Sequence, residues 1–510
     1  MLAEKDPQAA YSETCIQDGD KIGEGGDVRY PIELKKSSDT SDTEAALTFD
    51  PNSEEIKKVR WKVDKRFIPL LAIMYLCSYL DRASIGNAKV AGMETDLRLQ
   101  PGEFNTAMSI FYVGYILGDV PSNMALKRFG PRLWIPSVMF IWGTVMIATA
   151  AAKTAGALFA ARFFLGLAES GYAPGPVYLI SMWYARNEQA IRVGLFFSAS
   201  TVAGAFGGLL AYAISHMDGL SGLEGWQWIF IIEGIPTIVI CILAFLYLPD
   251  FPATSTFLTP AERALTIKRL AVDAGPSDES RFSWVQFQAA FTDWKVYMYF
   301  LVTILFHAPF ASLGLFIPSI VQGFGYDHVT TQIMTVPIYV VAFLSVIIFT
   351  YSSDRKKERG YHLALLSFMA TIGYGLLVLT RNSPVGGRYA SLMICTAGVY
   401  GYVPVMLSWS GVNIGGHTKR AVAIALIVSI GQIGSVIGGQ IYRNDDAPLY
   451  VRGHSISALF MALATVSILA FKFLLIRENR RRDRLTPEEY ERESSGTDLA
   501  DKHPSFRFYT

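Results

Sequence analysis

Four ionisable residues fall in runs that are otherwise apolar enough to cross a bilayer. Asp81 and Arg82 lie in 67–88, FIPLLAIMYLCSYLDRASIGNA, and Arg162 and Glu169 lie in 159–175, FAARFFLGLAESGYAPG. A full charge at bilayer depth costs several kcal/mol, so such groups face a protein interior or a water-filled cavity and mark a path for ions or substrate. Arginine pairs with a carboxylate through two parallel hydrogen bonds. A carboxylate beside an arginine stays ionised, whereas one withdrawn into a dry site takes up a proton. Two acids and two arginines at this depth therefore suit the movement of an anion together with protons.

Their depths can be compared. The first run enters the bilayer near Arg66, and a helix rises about 1.5 Å per residue, so Asp81 stands roughly 22 Å in. The other run enters from the opposite side near Ala155, placing Arg162 about 10 Å and Glu169 about 21 Å from that edge. In a core ~30 Å thick, Asp81 is level with Arg162, and an Asp81–Arg162 ion pair is expected. Arg82 lies about 100° further round its helix, so it is left to meet a substrate anion. Purely structural salt bridges remain the alternative for all four.

The chain that must position these groups has 510 residues, 51% hydrophobic and 17% charged. That is less charge than the roughly 25% of a soluble domain. Twelve apolar runs have spanning length: 67–88, 105–126, 133–152, 156–180, 192–215, 227–248, 296–320, 329–351, 362–380, 389–412, 419–442 and 455–476. Lys and Arg recur in alternate loops, from Lys57–Arg66 to Arg477–Arg484. The positive-inside bias then puts both termini in the cytoplasm. Residues 1–55 are polar and read as a disordered tail without a signal peptide. The net charge of +1 gives no nucleic-acid signal. The four cysteines suit neither a disulfide framework nor a CxxC site. No phosphate-binding GK[ST] loop and no metal-ligand cluster appear, so neither ATP, cofactor nor metal is expected, and no enzyme.

The halves repeat at an offset of 227 residues. Leu258-Thr259-Pro260-Ala261-Glu262 matches Leu485-Thr486-Pro487-Glu488-Glu489. Each reads as a Thr cap, a first-turn Pro and a capping-box Glu. Arg128 matches Arg355, Arg192 matches Lys419, and Gly204 and Gly207 match Gly431 and Gly434. The reading is an all-α membrane protein of two pseudo-symmetric six-helix halves. Residues 56–248 and 295–476 are the bundles, 249–294 a cytoplasmic linker and 477–510 a cytoplasmic tail. Repeats of this kind place the substrate site near the midplane between the halves.

Four stretches carry a closer likeness: YLDRASIGNA at 79–88; PSN at 121–123 with KRFGPR at 127–132; RFFLGLAESG at 162–171; and WSGVNIGGHTKR at 409–420. Together they resemble the major facilitator superfamily, and within it the anion:cation symporter branch, including fungal allantoate, nicotinate and pantothenate permeases. The resemblance implies a twelve-helix fold and proton coupling through Asp81 and Glu169 with Arg162. It implies substrate contact at Arg82 and Tyr79, and gating by Arg128, Arg132, Asp354 and Arg355. Lys127 stands where the superfamily usually has an acid, while the second copy keeps Asp354. His307, Ser408, Trp409, Asn413 and Gln432 are the neutral substrate contacts expected from the second half; Glu233 reads as structural, with a relay role as the alternative.

The expectation is a monomeric plasma-membrane importer of a small organic carboxylate with protons, working by alternating access in the lipid bilayer. An exporter of a fungal metabolite and a non-transporting nutrient sensor are the alternatives.

Overall fold

The computed structural model describes residues 53–172, 174–249, 251–274, 283–495 and 500–510. The tail expected over 1–55 lies almost wholly outside them. The spans are α1 (Glu54–Val90), α3 (Glu103–Phe129), α4 (Pro131–Thr149), α5 and α6 together (Ala155–Glu169 and Pro174–Trp183), α7 (Arg186–Ile214) and α8 (Gly225–Tyr247). The second half supplies α11 (Trp294–Gln322), α12 (His328–Lys356), α13 (Gly360–Leu379), α14 (Val385–Asn413), α15 (His417–Gly438) and α16 (Val451–Asp483). Short helices α2 (Met93–Asp96), α9 (Pro260–Ala274), α10 (Trp284–Thr292) and α17 (Pro487–Ser494) lie in the connections and the tail. Ten of the described helices are individually long and apolar enough to cross a membrane. The two remaining spans fall short for local reasons. α3 carries Asp119, Ser122, Asn123, Lys127 and Arg128, and the fourth span is broken.

That break departs from the single helix expected over 156–180. α5 stops at Glu169 and α6 begins at Pro174. Pro174 and Pro176 have no amide hydrogen to continue the ladder, and Gly171 lets the unwound turn press against Ser122. The outermost helices overrun the apolar runs, α1 by more than three turns before Phe67, because polar turns continue them past the apolar core.

Capping chemistry holds where local sequence dictates it. Thr259 Oγ1 accepts from the Glu262 amide, and Glu262 Oε2 accepts from the Thr259 amide at 2.8 Å. Thr486 and Glu489 repeat the same exchange at the start of α17. The duplication is also visible in packing. A Cβ on Gly207 would stand 3.1 Å from Leu80 on α1, and one on Gly434 would stand 3.1 Å from His307 on α11. Both members of this second pair lie 227 residues after those of the first. Arg192 on α7 pairs with Asp64 on α1 at 2.6 Å, and Lys419 on α15 pairs with Asp293 at the start of α11. In each half the basic residue opening the fifth span anchors the entry of the first.

All twelve spans place their loops alternately at a basic end, which carries Lys57–Arg66 and Arg477–Arg484, and at a far end. Contacts between the halves concentrate at the far end. Asn105 Nδ2 donates to the carbonyls of Gly439 and Tyr442, Lys89 and Glu94 both reach Asn444, and Phe104 meets Phe316 edge-on. Gly86 allows α1 to press on the Leu315 carbonyl of α11. Near mid-depth the Tyr79 and Tyr400 hydroxyls share a hydrogen bond of 2.7 Å across the halves. Asp119 of α3 also accepts from Ser429 of α15.

Candidate functional site

α1 carries Asp81 and Arg82 to different neighbours. Trp142 Nε1 of α4 and Thr237 Oγ1 of α8 each donate to Asp81 Oδ2 at 3.0 Å. Arg82 points to α5, where its Nη2 lies 2.6 Å from Glu169 Oε1. Ser78, one turn earlier on the same face of α1, donates to that oxygen at 2.5 Å. The expected Asp81–Arg162 pair is therefore not formed, and Arg82 is not left without an acid. Equal depth along the membrane normal brings Asp81 and Arg162 level, but the 100° step between Asp81 and Arg82 turns only Arg82 toward α5.

Glu169 closes α5, where a helix C-terminus disfavours an acid. Arg82 and Ser78 offset that. Glu169 Oε2 has no hydrogen-bond partner, nor do Arg82 Nε, Arg162 Nε and Arg162 Nη1, and all are buried. Both guanidiniums lie over the ring of Phe111, Arg162 at 4.9 Å and Arg82 at 5.3 Å from its centroid. Gly166 lets α5 approach α3 closely enough to reach the Phe111 carbonyl, which brings this ring beside Arg162. The cluster thus holds two cations and one anion in direct contact with one another or with one ring. The Arg82 side chain keeps 20% exposure, so protein does not seal it off.

Across the interface, His307 Nδ1 bonds the Thr303 carbonyl at 2.9 Å, within α11. Gln432 accepts from Ser435 of its own helix. Ser408 is half-buried on α14. Trp409 and Asn413 lie elsewhere, at the basic end. Trp409 Nε1 and Asn413 Nδ2 donate to the Tyr509 carbonyl, and Asn413 Oδ1 accepts from the Tyr509 amide. The tail takes up their polar atoms. Tyr79 spends its hydroxyl on Tyr400. At the basic end Asp354 pairs with Arg359 at 3.2 Å, and Arg128, Arg132 and Arg355 are exposed.

Glu233 of α8 is buried, one turn from Thr237, and neither of its carboxyl oxygens has a hydrogen-bond partner. The structural reading therefore has no hydrogen bond behind it, and the relay alternative stays open. Sequence reasoning missed Ser78, Phe111, Trp142, Thr237 and Tyr400. The four-residue spacing of Ser78 and Arg82 was a usable signal for the first. The others depend on which helices become neighbours.

A protein-family model described as Major Facilitator Superfamily matches residues 71–439. The MFS transporter prlL of a fungal species is 35% identical over 443 residues, covering 85% of this chain and 90% of that protein. The uncharacterized transporter C1002.16c of Schizosaccharomyces pombe is 32% identical, covering 92% of this chain and 91% of its own length. Among solved structures, a partially occluded inward-open form of the Escherichia coli xylose transporter XylE superposes with a TM-score of 0.62 at 14% identity, over 80% of this chain and 98% of that one. A bacterial homologue of the human lysosomal transporter Spinster, inward-facing and occupied, gives the same TM-score at 16% identity, over 82% and 98%. Twelve spans in two related halves, charged groups held at mid-depth and this family match agree: the chain is a membrane transporter and belongs to the major facilitator superfamily.

Proposed function

We propose that the protein imports a small organic carboxylate, vitamin- or allantoate-like, together with protons by alternating access at the plasma membrane. The observation that carries this reading is the surplus of one positive charge where Arg82 and Arg162 both lie over the Phe111 ring and Glu169 pairs with Arg82. A substrate carboxylate supplies the missing anion and finds unused guanidinium donors. Asp81 and Glu169 carry the protons; protonation of Glu169 releases Arg82 to the substrate. His307, Gln432 and Ser408 contact the neutral part of the substrate, and Tyr79 bounds the site on its far side. Arg128, Arg132, Asp354 and Arg355 serve the gate at the basic end.

The basic end is then cytoplasmic, by the excess of Lys and Arg there. Closure of the halves at the far end corresponds to a state open to the cytoplasm. Inward movement of net positive charge draws about 2.3 kcal/mol per charge per 100 mV.

The test is uptake of labelled nicotinate, pantothenate, allantoate and biotin across external pH, in cells with and without the gene. One acid should accumulate, faster at low external pH, and its uncharged amide or alcohol analogue should compete poorly. Equal competition by acid and amide overturns the anion reading, and accumulation indifferent to pH overturns the coupling.

A further inference from the structure

Segment 500–510 is held in a cleft at the basic end of the second half, and the cleft recognises it as a ligand. Two side-chain amides read its backbone. Asn479 of α16 donates to the Phe508 carbonyl at 2.8 Å and accepts from the Phe508 amide at 3.0 Å. Asn413 of α14 does the same for Tyr509, at 2.8 and 2.7 Å. Arg482 donates to the carbonyls of Asp501, His503 and Phe506. One acid is read as a charge. Asp501 is fully buried, its Oδ2 2.9 Å from Lys295 Nζ of α11 and its Oδ1 paired with Lys419 of α15. One aromatic is read as a surface, because the buried Phe508 ring lies 5.0 Å from Lys295 Nζ and 4.6 Å from the Arg482 guanidinium. Gly415 and Gly416, in the turn joining α14 to α15, leave room for Asp501 and Ala500.

We propose that this cleft is a peptide-binding site for an extended segment carrying one carboxylate and one aromatic, that residues 500–510 are its resident ligand, and that their binding restrains the α14–α15 turn. The bound segment joins the ends of α11, α14, α15 and α16. Alternating access requires the halves to rock about a central site, and the ends of α14 and α15 are part of the moving body at the basic end. The site is separable from the fold because Asp293 also pairs with both Lys295 and Lys419. Losing Asp501 leaves the two lysines one shared counter-ion, Asp293. The cleft can therefore stand vacant, and release of the segment frees the turn.

Hydrogen exchange on the purified full-length protein tests this without knowing the transported substrate, so its failure would leave the transport reading standing. Asp501→Asn combined with Phe508→Ala should raise exchange at 410–420 by about tenfold, the scale of losing one charged hydrogen bond, and leave 103–118 unchanged. An excess of the synthetic peptide of residues 500–510 should restore protection, and the same peptide with Asn at 501 should not. Phe508→Ala alone keeps both lysine pairs and should show a smaller rise at the same place. Unchanged exchange at 410–420 in both variants, or failure of the wild-type peptide to restore it, overturns the proposal.

Discussion

Arg82 and Glu169 are joined across α1 and α5 at 2.6 Å, while Asp81, the adjacent residue, is held on the other side of α1 by Trp142 and Thr237. One turn of α1 therefore presents a charge to two different helix interfaces. A small rotation of α1 relative to α5 changes both environments together, which is the geometry that a coupled transporter needs.

Glu169→Gln removes the acid in contact with Arg82. Gln still accepts from Ser78 and Arg82, so the helices should stay packed and the protein should reach the membrane. Net uphill uptake should fall to background, while exchange of internal for external substrate should persist, since exchange moves no net proton. The measurement is counterflow in reconstituted vesicles beside pH-driven uptake. Uphill accumulation by this variant would remove Glu169 from the coupling path.

Asp81 should couple to Trp142 and not to Arg162. Asp81 and Arg162 do not touch, so Asp81→Asn and Arg162→Gln should add in thermal stability to within about 0.5 kcal/mol. Asp81→Asn and Trp142→Phe remove two ends of one hydrogen bond and should fall short of additivity by about 1 kcal/mol. Melting curves of the three single and two double variants decide this. Strong coupling between Asp81 and Arg162 would contradict the observed orientation.

The pH response at the basic end follows from Asp293. Burial pushes its carboxyl upward, but the Lys295 and Lys419 ammonium groups outweigh burial and hold it below the ordinary carboxylate range. A lowered folded value means that the pairing stabilises the fold above the unfolded value, near 3.9, and that this contribution disappears as pH falls through the folded value. Asp293→Asn keeps a competent helix cap and removes only the charge. At pH 7 it should cost on the order of 3 kcal/mol, less to the extent that Asp501 compensates. Its melting temperature should converge on that of the wild type as pH drops below about 4. A difference that persists at acid pH would mean that the charge is not responsible.

The parts of this structure legible in the sequence were those governed by local rules. Thr259 and Thr486 cap their helices because a cap needs only the next three residues. The 227-residue register predicted that Gly207 and Gly434 occupy equivalent positions, and they meet Leu80 and His307 at the same distance. Charged groups at mid-depth were legible because their cost in lipid is independent of fold. Partner choice was not. Depth fixed Asp81 along the helix axis but said nothing of azimuth, so Trp142 and Thr237 went unseen. Trp409 and Asn413 looked like cavity residues because nothing local to 500–510 reveals that its backbone folds back onto α14. The break after Glu169 was written in Pro174 and Pro176, yet the apolar run masked it.

The Tyr79–Tyr400 hydrogen bond supplies the last prediction. It joins α1 to α14 across the two halves near mid-depth. Either Phe substitution removes one neutral hydrogen bond, worth about 0.5–1.5 kcal/mol, and leaves the other hydroxyl without that partner. As a contact between the halves, the bond is expected to break when the far end opens. Its loss should therefore shift the population toward the far-side-open state by roughly 2- to 12-fold. A cysteine at Asn87, buried on α1 toward the closed end, would report this as faster labelling by an impermeant maleimide added from outside. Tyr79→Phe and Tyr400→Phe should accelerate labelling to a similar degree, and the double variant should add little. If Tyr79→Phe alone weakens substrate affinity while labelling stays unchanged, then Tyr79 serves the substrate rather than the gate.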